Sequence, residues 1–230
     1  MLPEQFCVRM KEMLGEEYAA FYASYDLPKY QALRINPLKT ERDTFLLQAP
    51  FSLNRVPWTT NGYYYSGNDQ PGRHPYHEAG VYYIQEPSAM APAEYLMAEP
   101  GERILDLCAA PGGKSTQIAC SMQGEGLIVC NEIHPARAKI LSENIERMGV
   151  CNALVTNETP QKLSDNFREY FDRILVDAPC SGEGMFRKDA DMVKDWMEHG
   201  PAYYAPIQRE ILHQAVAMLK PGGMMVYSTC

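Results

Sequence analysis

The sequence predicts a doubly wound α/β fold, a parallel sheet flanked by helices, preceded by a small α+β lobe. Three observations carry that expectation. From Ile104 onward, short β-rich runs alternate with helical patterns, which is the signature of βαβ units. A Pro-Gly-Gly bend, Pro111 to Gly113, separates the first of those runs from a helical pattern. The first hundred residues show no such alternation. They are therefore expected to form the lobe (1–100), and residues 101–230 the main domain.

Along the lobe, helical stretches are expected near residues 3–14 and 16–25, a short strand at Leu33–Asn36, and a tyrosine-rich segment around Tyr63, Tyr64 and Tyr65. Gly and Pro cluster between Gly67 and Gly80, the composition of a loop. EPSAMAPAEYLM (86–97) reads as a helix packing on the main sheet. The strands of that sheet are ILDL (104–107), LIVC (127–130), ALVT (153–156), RILVDA (173–178) and MMVYS (224–228). Between them, Leu141, Ile145 and Met148 fall at helical spacing, with Pro135 at the start and Gly149 at the end. Ile207, Ile211, Leu212, Ala215 and Leu219 make a second apolar stripe, closed by Pro221, Gly222 and Gly223.

The 230 residues carry 21 Lys and Arg against 29 Asp and Glu, a net charge of −8, and 46% are hydrophobic. Such a chain builds a sizeable core; disorder, collagen-like structure and repeat arrays are excluded. No apolar run reaches the length of a membrane span. The N-terminus, with Glu4 and Glu12, lacks the apolar core of a secretory signal, so the protein is expected in the cytoplasm. Seven cysteines without a CxxC pair argue against a zinc site or disulfide framework, and Cys120, Cys130 and Cys151 read as core thiols. His74 and His77 lack a third ligand nearby and read as loop residues, so no metal is expected. The acidic balance, shared by both halves and without a basic lobe or tail, counts against a nucleic-acid partner.

ILDLCAAPGGKSTQIA runs strand, bend, helix. A glycine-rich bend lets backbone approach a ligand closely, so Cys108, Ala109, Ala110, Pro111, Gly112, Gly113 and Lys114 are the expected cofactor loop. The dinucleotide fingerprint GxGxxG is absent. A P-loop nearly fits, but its first glycine is replaced by Cys108, and Pro111 removes a backbone donor that a phosphate cradle uses. S-adenosylmethionine carries no phosphate and suits this loop. Glu132, just past the second strand, stands where doubly wound folds place the carboxylate that binds ribose hydroxyls.

Asp177 and Cys180 follow the fourth strand in DAPCSGEG, and Cys230 follows the fifth in VYSTC. Ligands of doubly wound sheets sit beyond the carboxyl ends of the strands, so both sulfurs are expected to flank the cofactor pocket. Two thiols beside a methyl donor suggest covalent catalysis. Carbon 5 of cytosine is a poor nucleophile until something adds to carbon 6. After methyl transfer the proton on carbon 5 must leave, and a second group can assist release.

CAAPGGK, DAPCSGEG and the terminal STC, with RINPLK and YIQEPSAMAP upstream, resemble the RNA cytosine-C5 methyltransferases of the Nop/Sun type, particularly the bacterial RsmF-like ribosomal-RNA branch. The likeness spans residues 30–230. It implies a Rossmann-like S-adenosylmethionine-dependent domain over 101–230 behind an RNA-facing lobe, acting on RNA, above all ribosomal RNA or a ribosomal subunit. It further implies that Cys230 is the nucleophile, Cys180 the second cysteine needed for breakdown of the adduct, Asp177 a contact to the methionine amino group and the cytosine, and Glu132 the ribose ligand. Arg34, Asn36 and Lys39 fall in the family's RNA-facing motif, and Arg187 and Lys188 lie beside the expected pocket. The family's usual acid near the adenine aligns with Thr159, flanked by Asn157 and Glu158. Family members continue beyond the position of Cys230, so the domain is expected to be truncated at its C-terminus. Three other readings are a transfer-RNA methyltransferase, a non-catalytic RNA-binding scaffold and a P-loop NTPase.

Overall fold

The computed structural model describes residues 2–188 and 190–230. In chain order its first elements are α1 (Glu4–Leu14), α2 (Tyr18–Ala23), β1 (Ala32–Ile35), α3 (Arg42–Gln48), β2 (Leu53–Arg55), β3 (Gly62–Tyr65), α4 (Pro75–Glu78), β4 (Tyr82–Ile84) and α5 (Ala91–Tyr95). There follow β5 (Arg103–Asp106), α6 (Gly113–Met122), β6 (Leu127–Asn131), α7 (Pro135–Met148), β7 (Ala153–Thr156), α8 (Pro160–Asn166), β8 (Phe171–Asp177), α9 (Ala190–Glu198), α10 (Gly200–Met218) and β9 (Leu219–Ser228). They form two compact units: Met1–Lys29 with Pro179–Glu210 and Thr229–Cys230, and Tyr30–Ala178 with Ile211–Ser228.

The larger unit holds both sheets. Its main sheet has the order β7-β6-β5-β8-β9 with every ladder parallel, as the alternation of runs predicts. Strand side chains alternate between faces. Ile104, Ile128 and Leu175 therefore enter one core with Leu96, Ile118 and Leu141, while Leu105, Val129 and Ile174 enter another with Leu163, Ile211 and Met218. Helices α5, α6 and α7 cover one face, and α8 and the end of α10 the other, which makes the sheet doubly wound. Burying a side chain such as Leu105 or Ile174 completely stabilises by about 1.5–3 kcal/mol, so these layers hold the strand ends in place. Strand order reverses between β5 and β8, the kind of switch point at which doubly wound sheets bind their ligands.

The second sheet is antiparallel, β2-β3-β1-β4. Leu33, Ile35, Phe45, Tyr63 and Tyr82 fill its core, so the tyrosine-rich segment is packing surface. His74 caps α4, its Nδ1 accepting from Tyr76 N–H at 3.2 Å. Segment 86–97 is shorter than its expected helix: a 3₁₀ turn, Ser88–Met90, leads into α5. The second stripe also ends differently. Helix α10 stops at Met218 and β9 begins at once, with Phe171 facing Leu219 and Arg173 facing Met224. Residues 220–223 bulge out of the ladder because Pro221 has no N–H to give it.

The smaller unit contains α1, α2, α9, the start of α10 and the segment after Ala178. Its core is aromatic, with Phe6 edge-on to Phe186 at 5.1 Å and to Trp196 at 6.1 Å. Among the described residues, no helix is long and apolar enough to cross a membrane.

Candidate active site

The chain leaves β5 at Asp106 and is pinned at once to its neighbours. Leu107 N–H donates to Leu175 O at 3.0 Å and Ala109 N–H to Asn131 O at 2.8 Å. After a cis Ala110–Pro111 bond, Gly112 stands at φ +109, and a Cβ there would lie 3.2 Å from Leu141 Cδ1. Only glycine takes that backbone without strain. Side chains of α7 hold the outside of the bend: Asn144 Nδ2 donates to Pro111 O at 2.8 Å and Arg137 Nη2 to Ala110 O at 3.0 Å. Beyond the bend, Lys114 Nζ lies 2.7 Å from Asp177 Oδ2, whose other oxygen accepts from Ser228 Oγ at 2.7 Å. The loop, the end of β8 and the end of β9 are thus joined through one carboxylate.

Asp106 was not singled out from the sequence, although an acid ending the strand that feeds a glycine bend was the available signal. Its Oδ2 accepts from Ser115 Oγ at 2.7 Å, and its Oδ1 is buried with no hydrogen-bond partner among the described residues. Burial pushes its carboxyl up to about 7 against the pull of Ser115 and Lys114. An orphaned buried oxygen is costly unless a ligand completes it. Glu132 is 3% exposed and fixed in orientation: Oε1 accepts from His134 N–H at 3.0 Å, and Oε2 lies 3.5 Å from Arg137 Nη1. An acidic oxygen without a partner among the described residues, beside the glycine bend, and a fixed carboxylate after the second strand fit the expected cofactor, which presents cationic groups and a pair of ribose hydroxyls.

In the smaller unit, Cys180 Sγ and Cys230 Sγ lie 3.1 Å apart, and Cys180 Sγ is also 3.1 Å from the Cys230 carbonyl oxygen. The structure therefore brings together two thiols that the sequence separates by 50 positions. Other cysteines differ. Burial, then the nearby carboxylates of Asp106, Glu132 and Asp177, push the Cys108 thiol up to about 12, and burial also pushes Cys120 and Cys130 up, so these stay protonated at neutral pH. Cys151, expected in the core, is exposed, because it falls in the turn between α7 and β7.

Two residues expected to reach RNA do not face solvent. Arg34 is 1% exposed and donates to Gln85 Oε1 at 3.0 Å, Gly113 O at 3.0 Å and Thr116 Oγ1 at 2.8 Å. Asn36 is fully buried, its Nδ2 donating to Gly80 O and Met148 O, each at 2.8 Å. Their donors are spent inside the protein, where they clamp β1 to the start of α6 and the end of α7. Lys39 and Lys188 are exposed, and Arg187 donates to Leu27 O. Thr159, at the position of the family's acid, caps α8 by accepting from Lys162 N–H at 3.3 Å. Glu158 pairs with Lys162 at 3.0 Å, and Asn157 donates to Glu132 O at 2.6 Å.

Residues 93–230 match the family model described as 16S rRNA methyltransferase RsmB/F, and residues 2–87 match the N-terminal domain of 16S rRNA methyltransferase RsmF. The chain belongs to the RsmB/F methyltransferase family. The motifs CAAPGGK, DAPCSGEG and STC thus pointed to the right family. The chain is 40% identical over 239 residues to ribosomal RNA small subunit methyltransferase F of Enterobacter sp. (strain 638), an alignment covering 99% of this chain and 50% of that relative. It spans about half the length of the curated relatives it matches. A methyltransferase homolog protein from Pyrococcus horikoshii, 31% identical, superposes with a TM-score of 0.83 over 99% of this chain and 73% of its own. NSun6 from the same organism, solved with SFG, gives 0.84 at 21% identity over 99% of this chain and 83% of its own, a likeness of fold.

Proposed function

We propose that this RsmB/F member methylates carbon 5 of a cytosine in 16S ribosomal RNA, with S-adenosylmethionine as cofactor and a covalent cysteine adduct at carbon 6. The observation that carries the reading is the 3.1 Å separation of the Cys180 and Cys230 sulfurs. The small-subunit names of the curated relatives favour ribosomal over transfer RNA. Residues 1–100 would serve as the RNA-facing lobe and 101–230 as the catalytic domain, working in the cytoplasm, where ribosomal subunits are found.

When bound, S-adenosylmethionine supplies an electrophilic methyl group on a sulfonium. Residues 108–114 would hold its amino-acid end, with Asp177, oriented by Lys114 and Ser228, accepting from the amino group. Glu132 would take both ribose hydroxyls. Cys230 Sγ adds to carbon 6 of the cytosine, which makes carbon 5 nucleophilic. Release is an elimination in which the proton on carbon 5 passes to water, the carbon–sulfur bond breaks and Cys230 leaves as thiolate, with Cys180 beside that sulfur assisting its departure. Lys39, Arg187 and Lys188 remain the proposed phosphate contacts.

The test is incubation with 16S rRNA carrying 5-fluorocytosine, whose fluorine cannot leave as the proton does and so traps the adduct. The expected result is a stable crosslink that needs cofactor, disappears in Cys230→Ser and persists in Cys180→Ser. A crosslink lost only in Cys180→Ser reverses the two roles, and none with any folded variant refutes the covalent reading.

A further inference from the structure

We propose that Glu183 is a positioning residue that sets the separation of the Cys180 and Cys230 sulfurs. Three donors converge on its Oε1: Trp196 Nε1 at 2.7 Å, Ser181 Oγ at 3.5 Å, and the Arg9 guanidinium, which forms an ion pair with it. Arg9 is itself set in the aromatic core, its guanidinium carbon 5.9 Å from the ring centroids of both Phe6 and Trp196. A glutamate in a short Gly-Glu-Gly segment would ordinarily be a solvated charge. Here it is drawn in, with a side chain only 24% exposed.

Glu183 opens a 3₁₀ turn, Glu183–Met185, closed by Met185 N–H donating to Gly182 O at 2.8 Å. The next residue, Gly184, rests on Cys230: a Cβ built there would lie 3.2 Å from the Cys230 carbonyl carbon and 3.7 Å from its Cα. Cys180 enters the turn from one side and Cys230 lies against its middle. A carboxylate that fixes the turn to the aromatic core therefore fixes where one sulfur stands relative to the other, the second layer of support that a reactive pair requires.

This role rests on the assignment of both thiols to the reaction, and its test reads sulfur geometry without RNA, so the two can fail separately. Phenylarsine oxide condenses with two neighbouring thiols: two arsenic–sulfur bonds form, the arsenic–oxygen bond breaks, and oxygen leaves as water with both thiol protons. Mass spectrometry measures capture, and Cys180→Ser assigns the signal to this pair. The unsubstituted protein should capture the arsenical through Cys180. Glu183→Ala should bind it about tenfold more weakly, the factor of one charge-assisted hydrogen bond, when measured well below its own lowered thermal midpoint. Glu183→Gln, which still accepts from Trp196, should fall between, and it decides alone if the alanine variant does not fold. Lys194→Ala, which removes a surface pair with Asp191, should bind as the unsubstituted protein does. Equal capture by the folded Glu183 variants, an equal loss in Lys194→Ala, or no capture through Cys180 overturns the proposal.

Discussion

Replacing Arg34 with methionine separates a buried clamp from an RNA contact. The guanidinium makes three hydrogen bonds of 2.8–3.0 Å and a longer contact of 3.7 Å to Cys120 Sγ. Two of its acceptors keep other bonds, since the single Thr116 hydroxyl proton is shared between Gly112 O at 2.8 Å and Gly113 O at 3.2 Å. Gln85 Oε1 is the acceptor left stranded. Bonds to a charged group contribute about 1.5–3 kcal/mol each, and a stranded buried acceptor costs a further 1–3 kcal/mol or so; offset by the packing that methionine retains, the net loss is about 4 kcal/mol. For a chain of this size that lowers the thermal midpoint by roughly 8–16 °C. Circular dichroism measures the midpoint, and fluorescence anisotropy at low temperature measures RNA affinity of the folded variant. The expected outcome is a large drop in midpoint with unchanged RNA affinity. An unchanged midpoint with several-fold weaker RNA binding would refute the clamp.

Asp106 binds its proton more tightly folded than unfolded, since its carboxyl rises from 3.8 to about 7. Its contribution to stability should therefore be complete below about pH 4, be lost as pH rises towards 7, and stay absent above it; Asp106→Asn should remove that component from the pH dependence in calorimetric scans, and parallel curves would count against the burial argument. Glu132→Gln should weaken cofactor binding in titration calorimetry by roughly ten- to a hundredfold, because a neutral amide is a poorer acceptor for two hydroxyls than a charged carboxylate; an unchanged affinity removes Glu132 from the ribose role. Changing Lys39, Arg187 and Lys188 together to glutamine should reduce the slope of log affinity for RNA against log salt by about 2, and equal slopes would exclude them as phosphate contacts.

The main sheet was legible because its strands are short, β-rich and separated by helical stripes: Ile104, Ile128 and Leu175 alternate with Leu105, Val129 and Ile174 whichever partner strand each one meets. Chain order also placed Asp177 at the end of a strand and both cysteines in the turns that follow strands. Arg34 and Asn36 were misread for a physical reason. An arginine and an asparagine in a short strand look alike in sequence whether they point to water or to a carbonyl, and the carbonyls they meet belong to residues 80, 113 and 148. Glu183 was obscured in the same way, since Arg9 and Trp196 are remote in the chain. Asp106 carried a local signal, but its orphaned oxygen emerges only when Ser115 is seen to occupy the other one.

The clamp made by Arg34 and Asn36 bears on how this protein can change over time. Separate family models match the segments on either side of residue 90, yet the strand of one supplies polar partners for the Pro-Gly-Gly bend and the last helical turn of the other. A leading segment that lacked the Arg34 and Asn36 donors would leave the carbonyls of Gly113 and Met148 without these partners. A substitution at position 34 or 36 is therefore felt at 85, 113, 116 or 148, across the boundary between the two segments.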